Sequence, residues 1–180
     1  MQIEDGQSEV REVFMHGFPG QLVSGVLWLV SAALSTWVST RAGIIFLLVG
    51  GFFIFPCTLL VLKALGRRAS LDPANPFGRL GMQVAFTLPL NLPLVGAAAI
   101  HRLDWFYPAT MLVTGTHYLP FVFMYGMPAF YALAAVLILG ALALGLYVPA
   151  PFATGGWLTG AALLAFALIA MSMATRRRAA

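Results

Sequence analysis

The chain has 180 residues, 61% of them hydrophobic, with 10 Lys and Arg, 6 Asp and Glu and a formal charge of +4. An average soluble domain is about 25% charged, and 9% is too little to cover a water-facing surface, so a soluble globular enzyme is excluded. A single cysteine, Cys57, excludes a disulfide scaffold, and the apolar content excludes disorder. What remains is an all-α polytopic membrane helix bundle of one domain.

Residues 1–17 carry Glu4, Asp5, Glu9 and Glu12 against Arg11. That is the reverse of the basic region that opens a secretory leader. They read as a cytoplasmic N-terminal segment, with Val10, Val13 and Phe14 on one side of a short interfacial helix. A span needs about 20 mostly apolar residues, and six such stretches follow: 18–39, 42–65, 80–100, 106–123, 127–148 and 153–175. Together they make 18–175 the transmembrane domain, followed by a basic cytoplasmic tail, 176–180. Only Met124-Tyr125-Gly126 joins the fourth stretch to the fifth, beside Pro120 and Pro128, so this pair reads as two spans or as a re-entrant hairpin. Within the loop 66–79, Asp72-Pro73 and Asn75-Pro76 read as turns, with Asn75 capping the third span.

Orientation follows from the Lys and Arg bias. With the N-terminus inside, Arg11, Lys63, Arg67, Arg68, Arg79, Arg176, Arg177 and Arg178 are cytoplasmic, and only Arg41 and Arg102 face out. Trp37, Trp105, Tyr107, Tyr147 and Trp157 then fall at the outer ends, as an aromatic belt. Both termini are placed in the cytoplasm. The terminal arginines read as a lipid-headgroup anchor, so the basic charge calls for no nucleic-acid partner.

Three elements carry a family resemblance: Gly17-Phe18-Pro19-Gly20 with Ser24-Gly25 and Trp28, then Asn75-Pro76-Phe77-Gly78-Arg79-Leu80-Gly81, then Gly115-Thr116-His117-Tyr118-Leu119-Pro120-Phe121. Over residues 14–148 the chain resembles an uncharacterised family of small bacterial multi-pass integral membrane proteins. The resemblance implies a bacterial cytoplasmic (inner) membrane protein, and brings no activity with it.

The chemistry available inside the membrane is sparse. All six carboxylates, Glu4, Asp5, Glu9, Glu12, Asp72 and Asp104, lie outside the spans or at their ends, which argues against a buried-carboxylate antiporter and an intramembrane aspartyl protease. Neither His-Glu-x-x-His nor Gly-x-Ser-x-Gly is present. His16 and His101 sit at opposite membrane boundaries, which fails a bis-histidine heme and a three-histidine metal site. No cofactor is expected.

His117 is the one deep ionisable group, and such groups are functional candidates by default. Twelve residues from Trp105 place it about 18 Å in. On the third span Gln83, Thr87 and Asn91 recur every fourth residue on one face. The fourth span has its own stripe, Thr110, Thr114 and His117, continued by Phe121 and Tyr125. If the stripes face each other they form a mid-membrane polar seam, beside a helix in which Pro89 and Pro93 each remove a backbone donor.

Two readings follow. Either Gln83, Thr87, Asn91, Thr110, Thr114 and His117 line a small-molecule site for binding, transport or sensing, or they bond one another as interhelical glue worth about 0.6 kcal/mol per contact. Under the second reading the protein is structural or regulatory. It acts through a membrane partner or a second copy, with the loop 66–79 as its contact. A membrane-embedded enzyme on lipid-like substrates is weaker, because a lone histidine lacks an orienting acid.

Overall fold

The computed structural model describes residues 2–179, with side chains to Thr175. The side chains of the terminal arginines, read above as a headgroup anchor, lie outside the described residues. Those described form helices joined by loops and turns, with no strand. The order is α1 (Ile3–Val13), α2 (Phe18–Trp37), α3 (Thr40–Gly51), α4 (Ile54–Ala64), α5 (Pro76–His101), α6 (Phe106–His117), α7 (Leu119–Tyr125), α8 (Ala129–Leu142) and α9 (Thr154–Ala179). Four helices are long and apolar enough to cross a membrane, or five if the bent pair α3 and α4 counts as one span.

Two of the six apolar stretches are broken. The second bends by 63° between α3 and α4, where Gly50-Gly51 weakens the helix and Pro56, lacking an N–H, denies Phe52 its usual partner. The fourth ends α6 at His117 and restarts as α7, because Pro120 cannot donate to the carbonyl of Thr116. By contrast α5 runs unbroken through Pro89 and Pro93. Gly126 turns the chain from α7 toward α8 in the left-handed conformation (φ 59°), which glycine adopts without a side-chain clash.

The bundle is built around α2, which packs most extensively on α9 and also on α3 and α4. Small residues permit that approach. A side chain on Gly156 would meet Tyr107 and Ala32, one on Gly160 would meet Leu29, and one on Gly25 would meet Leu164. The pair Gly156 and Gly160 therefore serves packing within this bundle. The face of α2 bearing Trp28, Ser24 and Ser31 is buried. On the other side α6 packs on α8, and α5 lies at the periphery against α6. Only 11% of the most apolar stretch of α5 is buried, against 44% for the helix containing α2.

The N-terminal helix has its apolar face on the protein, with Gly6, Val10 and Val13 buried. It packs on α7, α5 and the turn before α2. That turn, Met15, His16 and Gly17, has three successive positive φ angles of 47°, 59° and 93°, a conformation disfavoured for the first two residues.

Candidate functional site

The two polar stripes meet at one point. Thr87 Oγ1 and His117 Nδ1 lie 3.1 Å apart, joining α5 to α6. The other members do not pair across the seam. Thr110 donates to the Phe106 carbonyl at 2.7 Å and Thr114 to the Thr110 carbonyl at 2.8 Å, both within α6 and both buried. Asn91 Nδ2 donates to the Thr87 carbonyl at 2.7 Å within α5. Gln83 is exposed, with no hydrogen bond to any described residue. A continuous facing pair of stripes is therefore not what forms: Thr110 and Thr114 turn into the bundle, while Gln83 and Thr87 look outward.

The Thr87 hydroxyl has two acceptors in reach, the Val84 carbonyl at 2.7 Å and His117 Nδ1 at 3.1 Å, and which of them takes its proton follows the tautomer of the ring. The other ring nitrogen is Nε2. It has no hydrogen-bond partner among the described residues and is not sealed from the surroundings. The half-buried ring sits beside Phe121 and Tyr118, with centroids 5.2 and 5.7 Å away.

A second polar cluster, absent from the seam reading, lies toward the end opposite α1. Ser31 Oγ donates to the Gly43 carbonyl at 2.9 Å. Its proton spent, it accepts from the Tyr107 hydroxyl at 2.6 Å, which in turn accepts from Ser35 at 2.9 Å. This relay ties α2, α3 and α6. Gly43 packs so closely on Ser31 and Ser35 that a side chain has no room. Tyr107, expected at the lipid interface, is instead fully buried. Its signal in the sequence was the inward face of Ser31 and Ser35, which needs a polar partner from another helix. Trp37 and Tyr147 do face outward.

A third cluster ties α1 to the bundle. Asn75 Oδ1 caps α5 by accepting from Phe77 N at 2.9 Å, while its amide donates to the Gly6 carbonyl at 3.1 Å and to Glu9 at 2.9 Å. Glu9 also accepts from Arg68 and, at 2.7 Å, from the Asp72 backbone N–H. The Asn75 hydrogen bond holds the Glu9 carboxyl below its ordinary value near 4.5. Partial burial opposes this, and Asp72 and Arg68 reinforce it. On α7, Gln7 donates to the Phe123 carbonyl at 2.6 Å and Arg11 to the Tyr125 carbonyl at 2.5 Å, filling acceptors a helix end leaves open. The sequence signalled the Asn75 cap but not its link to Glu9.

Among the described residues no group of three His, Cys, Asp or Glu could hold a metal. Two open apolar recesses flank α3 and α4, around Phe46, and neither includes a seam residue.

Four or five helices long and apolar enough to cross a membrane place the chain in the class of helical membrane proteins. Within that class the chain belongs to a family of unknown function, DUF7010, whose match covers residues 3–175. The match extends beyond both ends of the stretch that carries the resemblance noted above, taking in α1 and most of α9. No curated protein and no solved structure matches the chain.

Proposed function

We infer that this protein is a six-span bacterial inner-membrane protein with both termini in the cytoplasm, and that it binds, and thereby transports or senses, a small molecule at the contact between Thr87 and His117. The carrying observation is the accessible His117 Nε2, a ring nitrogen with no hydrogen bond to any described residue. In hydrocarbon an unmet polar atom is costly, so a deep histidine with one ring nitrogen left without a partner favours a site. The orientation rests on the basic residues at the α1 end, Arg11, Lys63, Arg67, Arg68 and Arg79, against Arg41 and Arg102 opposite.

A second reading has its own support: Thr110, Thr114 and Asn91 spend their protons on their own helices, as side chains serving only the fold would. On that reading the protein acts through a partner at the loop 66–79.

Native mass spectrometry of the gently solubilised protein, beside His117→Ala, separates the two. A small molecule retained by the wild type and lost in the variant supports the site. Two bare proteins, the variant merely melting earlier, reduce His117 to packing.

A further inference from the structure

One of the two apolar recesses beside Phe46 has a cation at its mouth, and it shares no residue with the seam. We propose that this recess seats an acyl chain of one phospholipid, preferentially an anionic one, whose phosphate pairs with Arg41.

The recess follows from the way α3 packs. Gly43 and Gly50, two turns apart on one face of α3, lie so close to Ser35 and Leu27 of α2 that neither has room for a side chain. Beyond Gly51 the chain bends by 63° into α4. Beside the glycine contacts an open space of about 480 Å³ is left, walled by Leu34 of α2 and by Ala42, Ile45, Phe46, Val49 and Phe53. Ile45, Val49 and Phe53 are 50%, 55% and 58% exposed. By helical rise the wall runs about 12 Å from Ala42 to Gly50. No polar side chain interrupts it, so what fills it gains close packing and no hydrogen bond. A stretch of hydrocarbon chain meets that description.

Charge sets the headgroup end. Arg41 stands one turn before Ile45 and next to Ala42, is exposed, and makes no hydrogen bond or ion pair with any described residue. Side chains on a helix lean toward its N-terminus, so the guanidinium points from the recess toward the end of the apolar stretch, where a long cationic side chain meets the headgroups. Only Val38 and Ser39 separate α2 from α3, which puts Trp37 at the same end. Trp37 is 73% exposed, three residues on from Leu34, and its indole N–H donates to no described residue. Two donors without acceptors thus stand at one end of an apolar groove. A phosphate above an acyl chain supplies the acceptor oxygens. An ammonium on the same headgroup would compete with Arg41 for that phosphate, which favours a net anionic lipid.

The other recess, about 390 Å³ between Leu22, Val26, Val30, Phe46 and Val61, lacks this feature. Its nearest cation in sequence, Lys63, lies two residues from Val61 and so on the opposite side of α4.

The test is native mass spectrometry of the full chain in mild detergent with three probes that share their chains: dioleoyl phosphatidylglycerol, dioleoyl phosphatidylcholine and dioleoylglycerol. One tightly held phosphatidylglycerol is expected, with phosphatidylcholine weaker and dioleoylglycerol weakest. Arg41→Gln should weaken phosphatidylglycerol about fivefold. Val49→Trp, which fills the recess from an exposed position, should displace the lipid with Arg41 intact, and Lys63→Gln should leave it bound as in the wild type. Undiminished binding in Arg41→Gln, or equal retention of dioleoylglycerol, overturns the proposal by taking the phosphate out of it. Undiminished binding in Val49→Trp overturns the seat of the chain. A loss in Lys63→Gln as large as in Arg41→Gln makes the attraction a general one, and overturns it too. So does a lipid-free dimer that Val49→Trp separates, which gives the recess to a second copy.

Discussion

The Tyr107 relay and the Thr87–His117 contact are built from the same materials and finish differently. In the relay each proton has an acceptor: Ser35 to Tyr107, Tyr107 to Ser31, Ser31 to the Gly43 carbonyl. Tyr107 and Ser31 are both fully buried. At the seam the count leaves Nε2 over, at an outward-facing edge. Polar groups kept only to hold helices together have every reason to close their accounts in hydrocarbon, and this bundle contains an example that does. An unmet atom is not sufficient by itself. The Gln21 carbonyl oxygen also lacks a hydrogen bond, but it is sealed against Gly17 and Phe130 where nothing can reach it. Reachability separates His117 from it.

The largest effect should come from breaking the closed network. Tyr107→Phe leaves Ser35 without its acceptor and Ser31 without its donor, and is expected to cost about 1–3 kcal/mol of stability. Thermal unfolding in detergent would read this, with binding at the seam unchanged. If Tyr107→Phe proves neutral, closure does not mark a structural cluster and the comparison fails.

The sharper test is the same kind of substitution at the open network. His117→Phe removes the unmet ring nitrogen along with one hydrogen bond, and should change stability by less than about 1 kcal/mol while abolishing the His117-dependent ligand in native mass spectrometry. A loss as large as that of Tyr107→Phe would make the two regions equivalent, both glue.

Much of this was legible in the sequence, because apolar length and polar spacing are local properties. Each of the six apolar stretches became a helix or a pair of helices. Side-chain rotation about the helix axis was legible only in part. Thr110 and His117 share a stripe by spacing, yet Thr110 turns inward while His117 meets Thr87. The three-residue and four-residue steps drift across a face about a hundred degrees wide. Proline was a poor guide to breaks: Pro120 parts two helices where Pro89 and Pro93 do not. The Glu9–Asn75 link joins residues 66 apart and depends on where α1 docks, which no local pattern encodes.

A third, smaller effect concerns that link. Asn75→Ala removes the cap of α5 and two donors to α1, for an expected loss of about 1 kcal/mol. Hydrogen exchange should quicken across α1 and the first turn of α5, while His117-dependent ligand retention persists. Unchanged exchange would mean that α1 is held by its contacts with α7 instead.

The smallest effect is one of pH, and its sign is fixed by Glu9. Its folded pKa lies below the ordinary value of 4.5, first through the Asn75 hydrogen bond. A depressed carboxylate contributes stability that is fully present above the unfolded pKa and is lost as pH falls through the folded one. Docking of α1 should therefore be constant from neutrality down to about pH 4.5 and loosen below it. Protonated Glu9 can no longer pair with Arg68 or accept as strongly from Asn75 and Asp72. Because Arg68 is largely exposed, salt should shrink the effect. Spin-label distances between α1 and α7, measured across this range in the wild type and in Glu9→Gln, provide the check. The variant should already show the acid-like distance at neutral pH and respond little to acidification. A wild type equally indifferent to acid would assign the hold on α1 to Gln7 and Arg11, whose bonds to the end of α7 do not titrate there.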